Sequence, residues 1–185
     1  IPMVSNTVLK VIAVEQGKMP SNVVTNTYII GKKHTIPVVS LSAKPDDLFG
    51  HNNGILANGP GYKEPFPYSG ANFWKDWERK ATFEYFDANG TKQLCFPAGV
   101  KVFGQYSQAY AQKSLSIHMR NDYGTGSITY PFFDDNGVMT LSNMVLRAGG
   151  QDQNYARIRD AFCAQVMKGQ TTLALMDWQP IVLYL

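Results

Sequence analysis

The chain has 185 residues, 44% apolar and 17% charged, with 17 basic against 14 acidic side chains for a formal charge of +3. That length suits one ordinary domain, or a small one plus part of another, and the balance is that of a folded globular chain. The basic residues are scattered rather than clustered as nucleic acid or anionic lipid would require, and no run of the chain reaches membrane-spanning length or forms an apolar signal region behind a basic start.

Residues 8 to 15 and 22 to 30 predict two strands across Gly17-Lys18-Met19-Pro20-Ser21, expected to be the closing hairpin of a β-sandwich. Gly31-Lys32-Lys33-His34 reads as a linker, which divides the chain into residues 1–33 and 34–185. Ile36-Pro37-Val38-Val39-Ser40-Leu41 opens a new strand, and Pro45 before Asp46-Asp47 predicts the acidic first turn of a short helix. The stretch from Lys44 to Glu78 is otherwise loop-rich. Residues 79 to 87 and 92 to 103 alternate as strands across Asp87-Ala88-Asn89-Gly90, a strong hairpin signal.

The run from Lys113 alternates next. Lys113, Leu115, Ile117 and Met119 share one face, and Ser114, Ser116, His118 and Arg120 the other. Gly124-Thr125-Gly126 predicts a hairpin turn, Asp134-Asp135-Asn136-Gly137 a second turn, and Met144-Val145-Leu146 a short buried strand. One helix is expected after an Asp152 cap, with Tyr155, Ile158, Phe162 and Val166 at helical spacing and Gly169 as its stop. Trp178 to Leu185 reads as a strand reaching its most apolar point at the end, so the chain is expected to be cut inside a domain. The class is α+β, a mainly antiparallel sheet with one principal packed helix.

Among residues that could carry chemistry, Lys113 stands out as an ammonium where an apolar residue is expected, behind the small and polar loop Gly104-Gln105-Tyr106-Ser107-Gln108-Ala109. The simpler reading gives it a stem over apolar surface and a head in water. Arg147 ends a strand just before Gly149-Gly150 and a helix start, a corner that favours anions; the simpler reading pairs it with a surface carboxylate. Glu84 lies within an alternating strand, as a solvated glutamate or an ion-pair partner for Lys113 or Arg147. His34, His51 and His118 are far apart, and no zinc spacing or P-loop is present. Cys95 in a strand and Cys163 in a helix are expected to be buried thiols, with their pairing left open. Trp74, Trp77, Tyr62, Phe66 and Tyr68 gather in one loop region and are either packed anchors or a sugar-stacking surface.

Several short blocks together resemble a known family. Ile36-Pro37-Val38-Val39-Ser40-Leu41, Asp47-Leu48-Phe49, Gly54-Ile55, Asn58-Gly59 and Trp77-Glu78-Arg79 come first. Gly104 with Ser107, Gln112-Lys113-Ser114-Leu115, Tyr123-Gly124, and Val145-Leu146-Arg147-Ala148-Gly149-Gly150 with Asp152 follow. Their order and spacing resemble the spore-coat protein H (CotH) kinase family from about residue 35 to the end. The first thirty residues, with Thr25-Asn26-Thr27-Tyr28, look like the end of a chitobiase C-terminal-like sandwich module.

The resemblance implies the N-terminal lobe of an atypical, secreted or cell-surface protein kinase, truncated at its C-terminal end. ATP and Mg²⁺ would be cofactors of the complete protein, and a protein its substrate. Lys113 would hold ATP phosphates, with Gly104 and Ser107 in the adjoining loop and Arg147 as a second anion contact or an anchor. Gln108 and Gln112 stand where the family often has basic residues, which lowers the local positive charge. The family's catalytic and metal-binding aspartates come from later sequence, so this chain carries no catalytic residue or metal ligand in that scheme and is expected to be inactive alone, with association through its C-terminal end as one outcome. A non-catalytic cell-surface scaffold or carbohydrate-binding module is the alternative.

Overall fold

The computed structural model describes residues 2–133 and 137–185. In chain order the strands are β1 (Thr7–Val11), β2 (Val24–Tyr28), β3 (Val38–Ala43), β4 (Arg79–Phe86), β5 (Lys92–Phe103), β6 (Ser114–His118), β7 (Ile128–Phe133), β8 (Gly137–Leu141), β9 (Asn143–Leu146) and β10 (Val182–Tyr184). Two α-helices, α1 (Pro45–Phe49) and α2 (Arg159–Met167), and short 3₁₀ turns complete the described chain. One sheet has six strands in the order β10-β3-β4-β5-β6-β9, and β1-β2 and β7-β8 are two-stranded. Antiparallel pairing dominates, as expected of the α+β class, with β10 running parallel to β3.

The chain forms two compact units. The first gathers Ile1–Ser42, Thr82–Phe96 and Pro180–Leu185. In it β1 and β2 pair from Thr7 opposite Tyr28 to Val11 opposite Val24. The β4–β5 turn is the one its sequence predicts: the Asp87 carboxylate accepts from the N–H groups of Asn89 and Thr91 at 2.9 Å each, and Gly90 N–H donates to the Asp87 carbonyl at 2.9 Å. The core holds Val38, Val39, Leu41, Phe83 and Phe96, with the two phenylalanine rings stacked 4.8 Å apart.

The second unit comprises Ala43–Ala81 and Pro97–Gln179. Pro45 occupies the first turn of α1 with Asp46 and Asp47 beside it, where a missing N–H costs nothing and acids meet the positive helix end. The loop-rich stretch after α1 is organised by Asn72, wholly buried, whose amide donates to the carbonyls of His51 (2.9 Å) and Gly54 (3.2 Å). Its core includes Leu48, Ile55, Phe73, Val100, Leu115 and Ile117.

Four local expectations change. The helix begins at Arg159, after a 3₁₀ turn at Gly150–Asp152, and its N-cap is Ile158 instead of Asp152, although the Asp152 carboxylate accepts from Arg159 N–H at 3.1 Å. It is not a packed helix, because α2 has no buried residue and Ile158, Phe162 and Val166 are all exposed. The Met144–Leu146 run is half-exposed rather than buried, because β9 is the edge strand. Gly124 follows a 3₁₀ turn and links β6 to β7, which belong to different sheets, so it closes no hairpin. The predicted turn at Asp134-Asp135-Asn136 lies outside the described residues.

Candidate functional site

Strand β5 ends at Phe103 and the chain turns at Gly104, where φ is +120° and a Cβ would lie 2.5 Å from Ser107 Oγ. Only glycine suits that conformation and that approach. The 3₁₀ turn Tyr106–Ala109 follows, closed by Gln108 N–H donating to the Gln105 carbonyl at 2.9 Å and by the Gln108 amide on the Gly104 carbonyl. Ala109 anchors the turn in a cluster with Ala71 and Phe73, against which Tyr62, Tyr68, Trp74 and Val102 pack.

Lys113 completes this turn from below. Its ammonium donates to the carbonyls of Gln108 (2.7 Å) and Tyr110 (2.9 Å) and sits 3.8 Å from the centroid of the buried Phe73 ring. The head-in-water reading is therefore wrong. Lys113 precedes β6 instead of opening it, and the carbonyls left free by the 3₁₀ turn draw its head inward. Burial lowers its pKa from the ordinary 10.5 to about 8. No carboxylate faces it among the described residues.

Arg147 lies on the adjoining strand end. Leu115 pairs with Leu146 in the β6–β9 register, and Ala148 N–H donates to Ser114 Oγ at 2.9 Å, so the Lys113-Ser114 and Arg147-Ala148 segments are neighbours. Gly104, Ser107 and Lys113 thus share one loop, with Arg147 on the next strand. The Arg147 guanidinium is paired with Asp160 in the first turn of α2, both side chains about half exposed. This is the surface-carboxylate arrangement, and it occupies the cation.

Glu84 departs from both of its expected roles. It is wholly buried, accepts from Thr27 N–H (3.2 Å) and the Thr27 hydroxyl, and pairs with Lys92 at 3.3 Å, not with Lys113 or Arg147. The reason is that β4 is an interior strand covered on both faces, so its alternation does not mark a wet side. Lys92 also reaches the Asn26 side chain and the Thr25 carbonyl, the latter at 3.4 Å.

Sequence reasoning missed a second polar constellation. Glu78 accepts a bidentate pair from Arg120 Nε and Nη2 at 2.7 Å each, and the Tyr123 hydroxyl at 2.9 Å. The Arg120 hydrogen bonds hold the Glu78 carboxyl below the usual range, while burial, then Glu78, raises the Tyr123 phenol. The available signal was Gly99, a lone glycine among apolar strand residues: a Cβ there would lie 2.1 Å from Glu78 Oε1.

Cys95 and Cys163 are free and exposed, which corrects the expectation of buried thiols: Cys95 lies in the outer part of β5, and α2 buries nothing. The loop aromatics contact one another and the backbone, with Phe66 still exposed. Trp74 Nε1 donates to the carbonyls of Pro67 (3.0 Å) and Tyr68 (3.1 Å), and Phe66 lies 5.2–5.8 Å from Tyr68, Tyr106 and Tyr110. Trp77 carries Lys75 at 4.2 Å and Arg79 at 4.8 Å from its ring.

Among the described residues no group of three or more His, Cys, Asp and Glu side chains is placed to hold a metal ion, and no helix is long and apolar enough to cross a membrane. Comparison with known proteins gives no matching family model, curated sequence or solved structure.

Proposed function

We propose that the chain is the N-terminal portion of a CotH-like atypical protein kinase, and that Lys113 holds ATP phosphates in the complete protein. The observation that supports this is a half-buried ammonium with no carboxylate partner among the described residues. A desolvated cation held only by carbonyl dipoles and a ring face is costly, and an arriving phosphate offsets that cost. Two of the three ammonium donors are engaged by the Gln108 and Tyr110 carbonyls, leaving one for a ligand oxygen.

In this reading Lys113 neutralises phosphate oxygens, and the Gly104–Ala109 turn fixes the lysine's position and forms one wall of the site. Arg147 joins only if Asp160 releases it. Mg²⁺, the base and the protein acceptor belong to parts of the scheme supplied by sequence other than this chain, and the cell surface is the proposed location. The sugar-binding alternative is weakened because Tyr62, Phe66, Tyr68 and Trp74 lie against other rings and Trp77 carries Lys75 and Arg79.

The test is calorimetric titration of ATP at pH 8. Near its pKa of about 8 Lys113 is partly neutral, so phosphate binding should draw protons from the buffer. Expected is binding whose heat varies with buffer ionisation enthalpy, abolished by Lys113→Met. Binding that survives Lys113→Met, or no binding by the chain and by a longer form alike, would sink the proposal.

A further inference from the structure

We infer that a cavity in the first unit, ahead of β3, is a binding site for a small organic anion with a ring-sized apolar body. The cavity measures about 310 Å³ and is lined by the Thr27–Ile30 and Lys32–His34 segments, Val38 and the β4–β5 turn. That is the low end of small-molecule sites, which run from about 300 to 1,000 Å³. It suits one ring with a charged substituent better than a nucleoside triphosphate.

The lining divides by chemistry. Val38 and Phe86, 3% and 8% exposed, are fixed by the core and give a rigid apolar wall, which Ile30 extends. Lys32 and Lys33 supply two exposed ammonium groups with no partner among the described residues. His34, also lining the cavity, is pinned by a 2.8 Å hydrogen bond between its Nε2 and the Tyr184 hydroxyl and an edge-on ring contact at 5.7 Å.

Asp87 is the one acid of the lining. Its carboxylate is already engaged by the Asn89 and Thr91 N–H groups at 2.9 Å and by the Gln93 amide at 2.8 Å. The lining therefore holds two unspent cations and one spent anion beside an apolar wall. An inorganic anion leaves that wall unused, and a neutral ring leaves the lysines unused, so the ligand carries both parts. The anionic head is a carboxylate or a phosphate.

Amide NMR spectra of the chain, titrated separately with phenyl phosphate, benzoate, benzyl alcohol and inorganic phosphate, test the site and separate the two head groups. Expected are saturating shifts at residues 28–34 and 87–90 with one or both aromatic anions, and about tenfold weaker binding to benzyl alcohol, to inorganic phosphate and by the exposed-site double variant Lys32→Ala/Lys33→Ala. Ile30→Ser, also exposed, should weaken the aromatic anions and leave inorganic phosphate unchanged. Absence of saturable shifts at these amides, equal affinity for benzyl alcohol, or unchanged affinity in the double lysine variant would overturn the inference. Shifts confined to residues 104–113 would do so too, while favouring the separate proposal for Lys113.

Discussion

Replacing Lys113 by methionine should remove a pH dependence of stability that the buried ammonium creates. In the unfolded chain the lysine keeps its proton up to about pH 10.5, whereas in the folded chain it loses it near 8. Between those values the unfolded state binds more protons, so folding stability rises with pH; below pH 8 the desolvation penalty is present in full. The gap corresponds to about 3 kcal/mol at full weight, and because a half-buried ammonium keeps some water, about 1–2 kcal/mol of it should be recovered between pH 7 and 10. Urea unfolding of wild type and Lys113→Met at pH 7, 8, 9 and 10 measures this directly. Losing the bonds to Gln108 and Tyr110 gives the variant a constant offset, so the diagnostic is the difference between the two curves, which should climb through this window. Parallel curves would show that the ammonium is not desolvated, and the argument for an anion-seeking lysine would fall with it.

Two further perturbations probe the polar groups of each unit. Lys92→Met leaves the wholly buried Glu84 without its cation and should cost about 2–3 kcal/mol, less than a fully buried pair because Lys92 is partly exposed; adding Glu84→Gln should restore part of it, and strictly additive effects in the double-mutant cycle would refute the coupling. Gly99→Ala places a methyl against Glu78 and Tyr123 and should lower stability by about 1–3 kcal/mol. Thermal unfolding checks this, and an unchanged midpoint would show that the Glu78 network gives way freely.

The parts of the fold legible from sequence are those decided within a few residues. Asp87 to Gly90 carries its own turn, and Pro45 with two acids starts α1. What failed depends on partners distant in sequence. The spacing of Ile158, Phe162 and Val166 defines a helical stripe but cannot say whether anything covers it, and here nothing described does. Glu84 looks solvent-facing on its strand until the β1–β2 hairpin brings Thr27 to it. At the candidate site the anomaly of Lys113 was legible and its destination was not, because the carbonyls it binds become available only when residues 106–109 close into a 3₁₀ turn.

The parallel pairing of β10 with β3 has a kinetic side. Val182 meets Val38, and Tyr184 hydrogen-bonds His34, so the last strand joins a segment made almost a whole chain earlier. Contacts of such separation form late, since a long loop must close before they return any free energy. During synthesis β3 therefore waits with one backbone edge unpaired, a template for adventitious strand pairing, until residues 182–184 emerge. Once paired, β10 replaces β3 as the edge of the sheet, and its three residues offer a shorter template for adventitious pairing than the six of β3.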